Sequence, residues 1–422
     1  MLQSNIKKVT SMKKEPSTLK IMMTLFVIMR MTVLLFYTPQ GLFNVYTDYS
    51  YYYRIAQLSE SGYYPFVNMW YHYPPLQAYI PQIAYWLTRI AMPAGDLLSA
   101  SYQIYARILG IILLFFETGV LVLVYLIAQR VWDEEKANLL GWIYCGLSLP
   151  LFYWTFSHQV VTVFFLLLSI YWFVTDRRSL SAMALGLGIA SKLIPIFELA
   201  PVAKFLWPHR QKLLVYGGVV ALIVFLVYLP FLLLGGGPWV LASFAALQKV
   251  GSYGTVWAIL DGNWGFGEFG PLADHLQIEK AYITHTQVPV IPGVIGILLF
   301  TVLYGLFFFR RLDSKDGRDF FRFSTLTAAF FFLWSKGWSP SWSITMIPLI
   351  LLSFPEWKGL LYSLILTLLV FVEWPFAFLI SNQVLLAAVY LARTLFFIFL
   401  IIDLTKELWP RKVVVELEPS DA

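Results

Sequence analysis

Apolar runs of about 18 or more residues recur along this chain, and nothing else constrains its fold as strongly. Inside a bilayer every backbone N–H and C=O needs an internal partner, so such runs are helices. Charge agrees: 13% of the residues are charged, against about a quarter in a soluble domain, and mean hydropathy is +0.70. The expected fold class is an all-α polytopic membrane protein. One membrane domain covers residues 21–405, between a basic N-terminus (1–20) and a short tail (406–422).

The net charge of +6 does not point to nucleic acid, because the Lys and Arg residues sit in short loops between apolar runs. A single cysteine, Cys145, excludes an intrachain disulfide. The first run, Ile21 to Tyr37, is long, and Thr38-Pro39-Gln40-Gly41 is a poor cleavage site, so this run is expected to be a permanent span.

Lys7, Lys8, Lys13, Lys14 and Lys20 place the N-terminus in the cytoplasm. Two long loops, 39–101 and 235–289, then fall on the outer face. In the first, Asp48 to Ser59 and Pro75 to Ile90 read as interfacial helices, since they mix aromatics with polar residues. Further spans are expected at Tyr102–Ala128, Ala137–Phe156, Val160–Val174, Leu213–Leu234 and Val290–Phe309. Phe323–Trp334, Ile344–Phe354, Leu360–Ile380 and Val384–Ile402 complete them. Leu180 to Leu206 does not fit a single crossing. Arg177 and Arg178 precede it, Lys204, His209, Arg210 and Lys212 follow, and Lys192 and Pro195 interrupt its middle. Two short helices in a re-entrant-like hairpin are expected, giving about ten to twelve membrane segments in all.

Several residues carry chemistry at these positions. Asp48 follows the first span and opens a helix. It reads either as an N-cap or as a general base taking a proton from an acceptor hydroxyl. Tyr49, Tyr51, Tyr52 and Tyr53 offer faces for a sugar, or anchors for the interfacial belt. Arg54 is a candidate phosphate contact or a surface charge beside Glu60. His72 sits in the rigid Tyr71-His72-Tyr73-Pro74-Pro75 turn. Lys192 is an ammonium inside an apolar run, which marks a functional site by default; Glu198 is its expected partner, and Glu117 is a further intramembrane acid. Lys336 ends a span on the outer side, where a lipid phosphate would lie. The Gly251–Gly270 stretch, with Trp264 and Glu268, suits a loop folded over a polar ligand or one resting on the bilayer. The five histidines show no metal-ligand spacing, and neither a Walker loop nor a dinucleotide fingerprint occurs. No metal and no cofactor are expected.

Three motifs in this order resemble the GT-C superfamily of glycosyltransferases. Thr47-Asp48-Tyr49, Gly62-Tyr63-Tyr64-Pro65-Phe66 and Tyr71-His72-Tyr73-Pro74-Pro75-Leu76 look like its first outer loop. Ser191-Lys192-Leu193-Ile194-Pro195 looks like its Lys-x-x-Pro segment. Lys336-Gly337-Trp338-Ser339-Pro340-Ser341-Trp342 looks like its Lys-x-x-Ser-Pro-Gln-Tyr loop, with Ser341 and Trp342 as departures. The likeness is to polyprenyl-phosphate-mannose-dependent mannosyltransferases, including phosphatidylinositol-glycan mannosyltransferases and bacterial lipid-mannosylating relatives.

The resemblance implies a GT-C-type helical bundle and inverting, metal-independent transfer of a hexose, mannose favoured, from a polyprenyl-phosphate sugar donor to a lipid or glycan acceptor. It implies Asp48 as base. From their positions, Lys336, Arg54 and Lys192 are expected on the donor phosphate, and His72, Tyr52, Trp338, Ser339, Trp264 and Glu268 on substrate. The resemblance also implies a site facing away from the cytoplasm. The membrane is expected to be a prokaryotic cell membrane rather than the endoplasmic reticulum. A transporter or flippase of lipid-linked sugars is the alternative, although no internal repeat is visible. A non-catalytic subunit of a transferase complex is a third possibility.

Overall fold

The computed structural model describes residues 18–36, 48–154, 157–265, 267, 269–312 and 316–409. The basic residues before Thr18, the tail with Arg411 and Lys412, and Glu268 lie outside the described residues. Among the described residues the regular structure is helical, and two isolated bridges stand in place of strands.

The helices run in chain order: α1 Thr18–Phe36, α2 Asp48–Gln57, α3 Pro75–Ala91, α4 Ala100–Val131, α5 Glu134–Gly146 and α6 Ser148–Trp154. Then come α7 Gln159–Val174, α8 Arg178–Ser191, α9 Leu199–Leu206, α10 Arg210–Leu233, α11 Gly237–Lys249 and α12 Val256–Asp261. Last are α13 Gly293–Phe309, α14 Gly317–Trp334, α15 Ser343–Ser353, α16 Trp357–Phe371 and α17 Gln383–Leu408. Among the described residues, five stretches are long and apolar enough to cross a membrane: α1, α4, α10, Trp357–Ala377 and α17. Local chemistry sets their ends. Ser99 caps α4, Asp133 caps α5, Asp316 caps α14 and Asn382 caps α17, each side chain accepting a bond from a backbone N–H of the first turn.

The protein is an all-α polytopic membrane protein. Its outer helices show this most plainly: α13 buries no residue and presents Val294, Leu298, Val302 and Leu306 outward, as a lipid-facing helix does. By contrast, every residue of α15 is buried, which makes it a central post. Helix α4, 32 residues long, reaches about 48 Å at 1.5 Å per residue, more than the roughly 30 Å hydrocarbon core. It packs against α1, α3, α5 and α7. Between α1 and α4 a buried ion pair, Arg30 with Glu117 at 3.1 Å, is joined by the Tyr144 hydroxyl. Glu117 is thus held by a span partner that the sequence reading overlooked.

The segment from Arg178 to Leu206 is broken and reversed. α8 ends at Lys192, whose backbone is extended (φ −161°, ψ 146°), and a 3-10 turn over Ile194–Glu198 leads into α9. The two ends of the excursion lie together: Phe173 stacks on Phe320 at 4.1 Å between ring centres, and Phe205 meets the same ring at 5.1 Å. One expectation inside it is corrected. Glu198 does not pair with Lys192; its carboxylate accepts from Ser324 at 2.8 Å, while Lys192 donates to Gln159 at 2.8 Å. The break at Lys192 removes the common helix face on which the two would have met. A second correction concerns Ala137–Phe156, read as one continuous run. It splits after Gly146, because Pro150 has no N–H to continue the ladder onto that carbonyl.

The bundle has two distinct ends. At one, Lys204 donates to the carbonyls of Phe308 and Arg310 (2.5 and 2.8 Å), Arg318 donates to that of Val131 (3.1 Å), and Arg322 pairs with Glu407 (2.8 Å). At the other, the two long loops fold onto each other. Trp70 Nε1 donates to the Asp274 carbonyl at 3.0 Å, and Tyr71 N donates to the Ser243 hydroxyl at 2.9 Å. Asp48 stands at this loop end.

Candidate active site

Asp48 is the first residue of α2. Its Oδ2 accepts from the Ser157 hydroxyl at 2.8 Å and from Tyr52 at 3.3 Å. Tyr52 in turn accepts from Gln77 Nε2 at 3.1 Å, so the pair is held from α3. Asp48 lines a cavity of about 400 Å³ together with Tyr51, Tyr52, His72, Tyr153, Ser157, Ser339 and Trp374. It is accessible through that cavity, yet burial among protein atoms pushes its carboxyl above the usual range. The Ser157 bond, the Lys192 charge and the Tyr52 bond oppose the rise without cancelling it.

A smaller cavity of about 190 Å³ adjoins the first, and Lys192 and Lys336 both line it. His72, Tyr73, Tyr253 and Phe269 line both cavities and so form the partition between them. Lys192 is buried, with its ammonium 4.9 Å from the Tyr73 ring centre and 5.1 Å from that of Trp342. Gln159 holds it and is itself anchored by Nε2 to Thr345 of the central helix at 3.0 Å. Lys336 is exposed, and its Nζ donates to the Gln248 carbonyl at 3.2 Å. Its own carbonyl accepts from Tyr253 N at 3.1 Å and from the Thr255 hydroxyl at 3.0 Å, and Trp338 N donates to the Tyr253 carbonyl at 2.9 Å. Gly337 is required at this joint, since a Cβ there would stand 2.3 Å from the Tyr253 ring.

His72 is buried and stacks on Phe269 at 3.6 Å. Burial lowers its pKa well below the ordinary imidazole value, with His275 and Lys192 adding to the effect, so it is a neutral wall residue near pH 7. A third cavity of about 580 Å³ lies among α9, α13 and α14. Its lining is almost wholly apolar, and Phe331 belongs to both it and the lysine cavity.

The structure therefore brings together Asp48, Tyr52, His72 and Ser339 in one cavity, and Lys192 and Lys336 in its neighbour. It does not bring in Arg54, Trp338 or Trp264. Arg54 is on the exposed face of α2 and lines neither cavity; Glu60 pairs instead with Arg89 at 2.6 Å. Trp338 is buried behind the lining, and Trp264 packs against Ala377, Leu386 and Tyr390. Glu268 lies outside the described residues. Sequence reasoning missed Ser157, Gln159, Tyr153 and Trp374. The polar triplet Ser157-His158-Gln159 between two apolar runs was the available signal for the first two. Among the described residues no group of three or more His, Cys, Asp or Glu is placed to hold a metal ion.

Comparison with known proteins adds a family. No curated protein sequence matches the chain. Among solved structures it is similar to the apo oligosaccharyltransferase of Archaeoglobus fulgidus, with 14% identity over 93% of this chain and 55% of that one and a TM-score of 0.40. It is also similar to the oligosaccharyltransferase AglB of that organism in complex with an inhibitory peptide and a dolichol-phosphate, with 15% identity, 93% and 50% coverage and a TM-score of 0.39. The chain spans about half the length of these proteins. The sequence model of glycosyltransferase family 87 matches residues 71–335, a range that includes His72 and Lys192 and leaves Asp48 and Lys336 on either side. That range is more than half of the chain, which therefore belongs to glycosyltransferase family 87.

Proposed function

We propose that this chain transfers a hexose, mannose favoured, from a polyprenyl-phosphate sugar to a hydroxyl of a lipid-linked or glycan acceptor, on the face of the membrane away from the cytoplasm. The observation that carries the reading is the pairing of two adjoining cavities across one aromatic partition. One holds a carboxylate and the other holds two lysines. The apolar cavity that continues from Phe331 suits a prenyl chain whose phosphate rests at the lysines.

In this reading the acceptor hydroxyl lies in the larger cavity and gives its proton to Asp48. Its oxygen attacks the anomeric carbon from that side. The bond from the anomeric carbon to the phosphate oxygen breaks, and polyprenyl phosphate leaves with the electron pair toward Lys192 and Lys336. Attack and departure on opposite sides invert the anomeric configuration. The raised Asp48 carboxyl fits a general base, whose efficiency improves as its pKa approaches the working pH. The lysines stabilise charge that develops only as the sugar leaves. Tyr52, His72 and Ser339 bound the sugar-holding space.

The test is Asp48→Asn in purified full-length protein, with a polyprenyl-phosphate mannose donor and a lipid-linked acceptor. Turnover should fall about 10²- to 10⁴-fold, with an unchanged melting midpoint in detergent. Wild-type-like turnover would remove the base assignment, and a product of retained anomeric configuration would remove the single-displacement mechanism.

A further inference from the structure

Arg393 of α17 and Glu373, in the turn that follows α16, are both buried, and both lie beyond the family-matched range. Arg393 Nη1 donates to Glu373 Oε2, and Nη2 donates to the carbonyl of Gly254. The guanidinium also faces Trp338, with its Cζ 4.5 Å from the ring centre. One side chain thus grips three segments that arrive from distant parts of the chain.

Each of those segments carries cavity wall. Trp374, beside Glu373, lines the Asp48 cavity. Tyr253, beside Gly254, lines both cavities. Trp338 sits between Gly337, which lines the lysine cavity, and Ser339, which lines the other. Arg393 itself lines neither. The contact it secures is close: Gly254 has φ +62°, and a Cβ there would stand 2.5 Å from the Trp338 carbonyl oxygen. Two backbone bonds cross the joint, Tyr253 N to the Lys336 carbonyl (3.1 Å) and Trp338 N to the Tyr253 carbonyl (2.9 Å).

A buried ion pair is a weak device for stability alone, since an apolar pair of similar volume often serves as well. An apolar pair cannot hold a loop carbonyl. The planar guanidinium fork can bond the carboxylate and the carbonyl at once while stacking on an indole face. We propose that Arg393, with Glu373 as its counter-ion, is a positioning residue for glycosyl transfer. It sets the spacing between the Asp48 wall and the Lys336 wall by clamping the Tyr253 loop onto the Lys336–Ser339 segment. This inference rests on the transferase reading given above.

The experiment uses full-length protein in detergent or nanodiscs with Arg393→Met, Arg393→Lys and Glu373→Gln, read by steady-state kinetics and by hydrogen-exchange mass spectrometry. Arg393→Met should lower kcat about tenfold to a hundredfold, as a small misplacement of reacting groups does. It should speed exchange in peptides covering 250–256 and 336–340, while peptides from α4 and α7 stay protected. Arg393→Lys, which keeps the charge and loses the fork, should recover part of both effects. If Arg393→Met does not fold, the Lys and Gln variants carry the same two readouts. Unchanged exchange at both peptides, or acceleration spread evenly over the bundle, would overturn the positioning role. If the wild-type protein transfers no sugar, the transferase reading fails, and local exchange still decides whether Arg393 holds the two segments together.

Discussion

At the scale of single residues, the four clustered tyrosines of α2 divide by the direction in which each points. Tyr49 donates to the Trp154 carbonyl at 2.9 Å, and Tyr53 is packed among Tyr85, Tyr102 and Tyr105; both are structural. Tyr51 and Tyr52 line the Asp48 cavity. No pattern in Tyr51-Tyr52-Tyr53 separates these roles, because the partners come from other helices. Asp48 was visible as an acid just after a span, but its partnership with Ser157 was not, because Ser157 lies 109 positions further along the chain and only folding brings its hydroxyl to the carboxylate. Ser157 nevertheless carries a sharp prediction. Burial raises the Asp48 carboxyl, so the acid limb of kcat/KM should lie above the ordinary carboxylate value of about 3.9. The Ser157 bond favours the ionised form and holds that limb down. Ser157→Ala removes a hydrogen bond to a charged group, so the limb should move to higher pH. The pH profile of kcat/KM checks this, and an unmoved limb would separate Ser157 from the base.

At the scale of elements, the hairpin from α8 through α9 was legible because charge and hydropathy conflict there. Basic residues flank both sides of one apolar run, and Lys192 and Pro195 stand inside it. A single crossing satisfies neither the orientation rule nor the buried ammonium. What the tip does was not legible. Its partner Gln159 comes from α7, and the cavity it enters is walled by Tyr73 and Trp342 from other elements. The extended backbone at Lys192 lets the side chain leave the α8 axis and reach the loop end of the bundle, where its charge is felt at Asp48. Lys192→Met keeps the length and the apolar stem and deletes the charge. It should lower kcat about 10²-fold, the range seen when one donor to a developing oxyanion is removed, and it should weaken inhibition by free polyprenyl phosphate. A variant with full turnover and unchanged inhibition would place the phosphate elsewhere. The run from Ala137 to Phe156 shows the opposite case. Pro150 was in plain view, but a proline inside a long apolar run is compatible with either a kink or a full break. The break falls after Gly146, the residue whose carbonyl Pro150 cannot bond.

At the scale of the whole molecule, the alternation of basic and aromatic loops was the most legible feature. Basic side chains from five separate helices meet at one end, through the contacts of Lys136, Lys204, Arg318, Arg322, Lys358 and Lys406. The aromatic loops and the Asp48 cavity occupy the other. The pairs that fix the helices laterally, Arg30 with Glu117 and Arg393 with Glu373, were not legible, because each joins residues whose proximity exists only after folding. The two-ended arrangement makes an orientation prediction, since loops rich in Lys and Arg are retained in the cytoplasm. The single cysteine, Cys145, makes the measurement clean. In a Cys145→Ser background, Ser61→Cys places a thiol on an exposed loop residue at the Asp48 end, and Glu135→Cys places one at the exposed start of α5, at the basic end. In intact cells or right-side-out vesicles, a membrane-impermeant maleimide should label the Ser61→Cys protein at once and the Glu135→Cys protein only after permeabilisation. The reverse pattern would put Asp48 on the cytoplasmic face. Acceptor and donor headgroup would then have to be presented from the cytoplasm, and the proposed direction of transfer would fall even if Asp48 remained the base.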